Sequence, residues 1–173
     1  MNPIIRYIIK VVLLILVQVI VLKHLELGFA NWWITPFIFI YLLIDLPVKF
    51  NPLYGMMIAG SLGFIIDIFY DTYGMHASAA IFLSFARYYF IPLILPRDGF
   101  DENSSATIRN LGFTKYLLYI FVLSFLYHLW FFMVEKFSFS SFPLRFSQAL
   151  ISSAVAVGLM LIIQYLYTKE VKR

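Results

Sequence analysis

The sequence predicts an all-α, polytopic membrane protein with six transmembrane helices, both termini in the cytoplasm and one integral-membrane domain over residues 1–173. Three observations predict it. Hydrophobic residues make up 62% and charged residues 13% of the chain, where a soluble domain carries about 25% charged residues. Mean hydropathy is +0.89, and several apolar runs are long enough to cross a hydrocarbon core of roughly 30 Å. The 12 Tyr, 19 Phe and 3 Trp gather near the ends of those runs, as an interfacial aromatic belt requires.

The first span covers about residues 4–22, with Arg6 and Lys10 on its leading turns. Lys23-His24 follows it in place of a small-residue cleavage site, so it reads as a retained helix and not a signal peptide. The second, about 32–46, is short, opens on Trp32-Trp33 and carries Pro36 in its first turns. The third covers 52–70. The fourth covers 75–91, either ending near Pro92 or running on to Leu95. The fifth covers 114–134. The sixth, 146–167, has a small-residue face in Ala149-x3-Ser153, Ser152-x3-Ala156 and Ala154-x3-Gly158 that permits close helix approach, to the third span or to another protein. The longest polar stretch, residues 96–112, is a turn-rich cytoplasmic loop.

Lys and Arg near span ends set the orientation. Nine (Arg6, Lys10, Lys49, Arg97, Arg109, Lys115, Lys169, Lys172, Arg173) fall on one side and three (Lys23, Lys136, Arg145) on the other, which puts both termini inside. The net charge of +4 fits basic cytoplasmic ends and does not by itself point to nucleic acid.

The third span carries the candidate site. Every fourth residue reads Gly55, Ala59, Gly63, Asp67, Asp71, one ridge of a helix. It begins small enough for another backbone to lie against it and ends in two carboxylates. Asp71 reads as an interfacial residue. Asp67, about 6 Å deeper, reads as a functional group (a substrate or ion site, a proton carrier or a polar contact to a partner protein) in preference to a structural hydrogen bond with helix ends or loops, because an ionised side chain inside a span is costly unless partnered. Arg87 could pair with Asp67, but it lies about 16 Å below the His76 end of its helix; the plainer expectation is that it snorkels at the inner interface.

Enzymatic patterns are not found. Without cysteine there is no disulfide, thiolate metal site or Cys nucleophile. His24, His76 and His128 have no zinc-binding spacing. Asp67-x3-Asp71 has no second acidic pair, so a metal-dependent intramembrane phosphotransferase would leave its cation under-coordinated. No nucleophile elbow or phosphate-cradling loop is visible. The expectation is a non-enzyme without cofactor or metal.

The run Gly63-Phe64-x2-Asp67-x6-Gly74-x-His76-Ala77 resembles the central motif of the rod shape-determining protein MreD family, in its Bacteroidota form. The resemblance continues through Arg87, Pro96-Arg97-Asp98-Gly99 and His128…Glu135-x-Phe137-Ser138-Phe139, and so covers nearly the whole chain. It implies a bacterial inner-membrane scaffold of the cell-elongation machinery for lateral peptidoglycan synthesis and rod shape. Such a scaffold binds the transmembrane helix of MreC and works with MreB, RodA and a penicillin-binding protein. Gly63, Asp67 and Gly74 carry over from the family pattern; Asp71 is less typical of it. The resemblance also implies a fold similar to the substrate-binding subunits of energy-coupling-factor vitamin transporters. The rival expectation is therefore a small-molecule uptake subunit with a polar pocket open to the outside, near Asn31, Asp67, Asp71 and His76.

Overall fold

The computed structural model describes residues 3–24, 27–29, 32–95, 105–136 and 142–170. Five of its helices are long and apolar enough to cross a bilayer, the architecture of a polytopic membrane protein. Helix α1 (Pro3–Leu16) continues through a π-helical turn at Val17–Val21 and a 3-10 turn at Leu22–His24. A small antiparallel hairpin, β1 (Leu27–Phe29) with β2 (Trp32–Ile34), follows. After the single turn α2 (Tyr41–Ile44) come α3 (Pro52–Tyr70), α4 (Met75–Ile94), the short α5 (Ile108–Leu111), α6 (Phe113–Lys136) and α7 (Phe142–Glu170). Helix α3 packs along α4, α4 along α6, and α6 along α7.

The expected second span, residues 32–46, is not a continuous helix. Its first residues pair as β2, residues 35–38 have no regular structure, and only Tyr41–Ile44 is α-helical. The local chemistry explains this. Thr35 precedes proline and is pushed from the helical region, while Ile34, Phe37, Ile38, Phe39 and Ile40 are β-branched or aromatic. Pro36 and Pro47 leave ten residues between them, about 15 Å as a helix but about 33 Å extended. Backbone of this kind is tolerated at membrane depth only when protein covers it. It is covered here, since every residue from Pro36 to Ile44 is buried. The segment is the centre of the molecule, with Leu83, Tyr119, Tyr127, Ala149, Ala156 and Met160 in the same core.

Helices α3 and α4 form a tight antiparallel hairpin. Asn51 caps α3, its Oδ1 accepting from Leu53 N at 2.9 Å, with Pro52 at the first helical position. Gly55, Ala59 and Gly63 are buried, and Gly63 makes the closest approach. A Cβ there would stand 2.5 Å from Ala77 Cα and 2.6 Å from the His76 carbonyl oxygen. Between the helices, Asp71 (φ 56°), Tyr73 (φ 45°) and Gly74 (φ 91°) adopt left-handed backbone. For a residue with a Cβ that conformation costs about 1–2 kcal/mol.

The small-residue face of the last span splits. Ala149, Ser152, Ser153 and Ala156 are buried, whereas Ala154 and Gly158 are exposed. Helix α7 packs along α6 and not along the third span, one of the two partners expected for it.

Candidate functional site

The Asp67 carboxylate binds the start of α4. Its Oδ1 accepts from His76 N at 2.9 Å and from the Thr72 hydroxyl, and its Oδ2 accepts from Ala77 N at 2.9 Å. These are first-turn amides that a helix leaves without intrahelical partners, and a carboxylate also favours the positive end of the helix dipole. Gly63, one turn back on α3, permits the approach that brings Asp67 there. At the neighbouring negative end of α3, the Lys23 ammonium donates to the Phe69 carbonyl. Asp71 is exposed and ends α3 with its backbone. Gly74 is the left-handed residue before α4. His76 is buried, its Nδ1 2.6 Å from the Tyr127 hydroxyl and its ring stacked on Phe131 at 4.4 Å, while Nε2 has no hydrogen-bond partner among the described residues.

The buried segment between β2 and α3 takes hydrogen bonds from side chains on its surrounding helices. The Gln18 amide acts as a neighbouring strand would: Oε1 accepts from Ile38 N at 2.8 Å, and Nε2 donates to the Pro36 carbonyl at 3.4 Å. Gln18 lies in the π-helical turn of the first span, and its own carbonyl accepts from the Tyr70 hydroxyl at 3.0 Å. Phe37 N donates to His128 Nε2 at 3.3 Å. His128 must therefore carry its proton on Nδ1, which donates to the Ser124 carbonyl at 2.7 Å. Thr35 N donates to Ser152 Oγ at 3.3 Å. The hydroxyl of Tyr41 donates to Gln164 of α7.

Arg87 holds the far end of the segment. It donates through Nε to the Tyr119 hydroxyl at 3.0 Å and the Ile44 carbonyl at 3.4 Å, and through Nη2 to the carbonyls of Leu46 and Pro47. Tyr119 also donates to the Ile44 carbonyl at 3.0 Å. The expectation that Arg87 snorkels is corrected: it is buried, because the loose carbonyls of residues 44–47 need a donor with several fixed N–H groups. It does not pair with Asp67, which sits at the other end of α4. Beside it the Lys10 ammonium pairs with the Asp45 carboxylate, 4.4 Å from the centre of the Tyr41 ring. Lys10 is itself buried, so a residue counted among the basic cytoplasmic ends belongs to the core.

The structure thus brings Gly63, Asp67, Gly74 and His76 together at one end of the α3–α4 hairpin. Gly55 lies toward the other end, where its added Cβ would stand 3.0 Å from Ser84 Oγ; Ala59 lies between, Arg87 at that far end of α4, and Asp71 outside. Sequence reasoning missed Gln18, Asp45, Tyr119 and Gln164, read Ser152 only as part of a small-residue packing face, and met His128 only as a zinc-ligand candidate and in the family motif. The available signal was their setting, since an amide or carboxylate inside an apolar run has to find a partner. Among the described residues no group of three or more His, Asp or Glu could hold a metal ion. Asn31, Arg97, Asp98 and Phe137–Phe139 lie outside the described residues. No protein-family model, characterised protein or solved structure matches this chain.

Proposed function

We propose that this chain is a non-enzymatic scaffold of the MreD type in the bacterial inner membrane, holding the transmembrane helix of MreC and helping to organise lateral peptidoglycan synthesis with MreB, RodA and a penicillin-binding protein. The observation that carries the reading is the buried segment in the core. The bundle centre, where an uptake subunit would hold its vitamin, is occupied by Pro36–Ile44. The buried polar side chains Lys10, Gln18, Asp67, Arg87 and His128 are engaged with the chain itself. The lipid-facing helix surface and the turns at either end are open to recognition, which suits a protein that binds other helices. The motif around Gly63, Asp67 and Gly74 supports the family assignment.

Within this reading the buried segment counts as the sixth crossing. Lys10 lies over Tyr41, and Tyr41 bonds Gln164 near the end of α7, so the start of α1 and the end of α7 share one end of the bundle. That end also carries Lys49, Arg109 and Lys115, and by the positive-inside rule we assign it to the cytoplasm.

The test is purification of the tagged protein from its native membrane in mild detergent, with mass spectrometry of proteins and small molecules. Recovery of MreC and the wall synthases without a stoichiometric ligand is the expected result. Recovery of transporter ATPases or a bound vitamin would overturn the scaffold in favour of the uptake subunit.

A further inference from the structure

In the turn Asp71–Gly74, the Tyr73 residue and the Asp71 carboxylate are features that the α3–α4 hairpin does not need. Tyr73 is 96% exposed, so its ring adds almost nothing to packing, yet it holds a left-handed backbone that glycine or asparagine would adopt more easily. Asp71 is left-handed as the residue that ends α3, but its carboxylate is exposed and makes no hydrogen bond or ion pair with the described residues. The turn is also held in place. Thr72 donates its hydroxyl to the Asp67 carboxylate and its amide to the Asp67 carbonyl at 3.3 Å, and its own carbonyl accepts from Met75 N at 3.0 Å. A strained, pinned turn displaying an aromatic ring and a carboxylate is built to meet something outside the chain. Bilayer anchors combine aromatics with Lys or Arg; this turn offers instead a carboxylate that meets no cation among the described residues.

We propose that the Asp71–Gly74 turn is a docking knob for a Lys or Arg side chain on an extramembrane segment of a partner protein. The cation takes the Asp71 carboxylate and lies against the face of Tyr73, the two contacts that an anion and an aromatic ring together offer a basic group. The inference rests on the scaffold reading and adds the contact point and its charge.

The test replaces Tyr73 with p-benzoylphenylalanine in the full-length chain, irradiates intact native membranes and maps the adducts by mass spectrometry. The expected adduct lies on a partner protein within a few residues of a Lys or Arg. Its yield falls at least tenfold in an Asp71→Lys background and falls with added salt. In parallel, Tyr73→Gly keeps or raises the melting temperature of the purified chain and lowers partner recovery. Adducts to lipid alone, or a protein adduct indifferent to Asp71→Lys, would overturn the docking knob. Co-purification of the unsubstituted chain separates the two levels: an intact complex with lipid-only adducts removes the knob and leaves the scaffold, whereas no complex removes both.

Discussion

Replacing Gly63 by alanine adds one methyl group where the structure has no room. The nearest atoms to the new Cβ are Ala77 Cα at 2.5 Å, the His76 carbonyl oxygen at 2.6 Å and Ala77 N at 2.7 Å. All three are backbone, so no side chain can rotate away. Restoring ordinary contact needs α3 and α4 to part by about an ångström, taking the atoms to a normal separation of roughly 3.5 Å. The same shift carries the 2.9 Å bonds from His76 N and Ala77 N to Asp67 to near 4 Å, beyond hydrogen-bond range. Overpacking costs about 1–3 kcal/mol and each weakened bond to a charged acceptor about 1.5–3 kcal/mol. Partial relaxation gives an expected loss of about 2–5 kcal/mol, read from equilibrium unfolding in mixed dodecyl maltoside and SDS micelles. Two internal controls grade the effect. At Gly55 the nearest neighbour is the Ser84 hydroxyl at 3.0 Å, which can turn aside, so Gly55→Ala should cost less. At Gly158 nothing lies within 4 Å, and Gly158→Ala should change stability by less than about 0.5 kcal/mol. Equal effects at Gly63 and Gly158 would refute the idea that close approach of α3 to α4 positions Asp67.

Asp67→Asn leaves one acceptor and turns an amide donor toward a second N–H, so faster hydrogen exchange is expected at His76 and Ala77, with a loss of about 1–3 kcal/mol. Arg87→Lys should behave more like Arg87→Met than like the native residue, because a single ammonium cannot serve the carbonyls of Ile44, Leu46 and Pro47; both variants should lose at least about 2 kcal/mol, and native stability in Arg87→Lys would contradict the multidentate role. Lys10→Met strands the Asp45 carboxylate and should cost about 3–5 kcal/mol, most of it recovered in Lys10→Met/Asp45→Leu. A double variant no more stable than Lys10→Met alone would count against the pair.

The apolar runs that became α3, α4, α6 and α7 were plain in the sequence because each is long and nearly free of charge, and length with composition is enough to mark such a helix. The ridge of Gly55, Ala59 and Gly63 was plain as well, since a period of four survives any error in helix ends. The path of residues 32–46 was not. Its hydropathy is that of a short span, and only Pro36 and the β-branched and aromatic run around it speak against a helix. Whether such a stretch becomes helix or covered coil depends on distant groups, the amide of Gln18 and the ring of His128, that no local window contains. Arg87 was misjudged for the same reason. Depth along its own helix put it near an interface, and only the carbonyls of another segment explain why it turns inward.

The buried segment also constrains the order in which the molecule can be assembled. Its fastenings reach far along the chain: Phe37 to His128 spans 91 residues, Thr35 to Ser152 spans 117, and Tyr41 to Gln164 spans 123. When residues 35–47 leave the ribosome, none of those partners has yet been made. Irregular backbone is poorly tolerated in lipid, so the segment has to wait at the membrane surface or beside the insertion machinery until α6 and α7 arrive. Nascent chains stopped before residue 142 should therefore leave it open to protease or to a water-soluble alkylating probe at an engineered cysteine, and chains released after α7 should not. On this account α7 is the helix whose arrival covers the segment, and mutations that delay it expose the centre of the protein to cellular quality control.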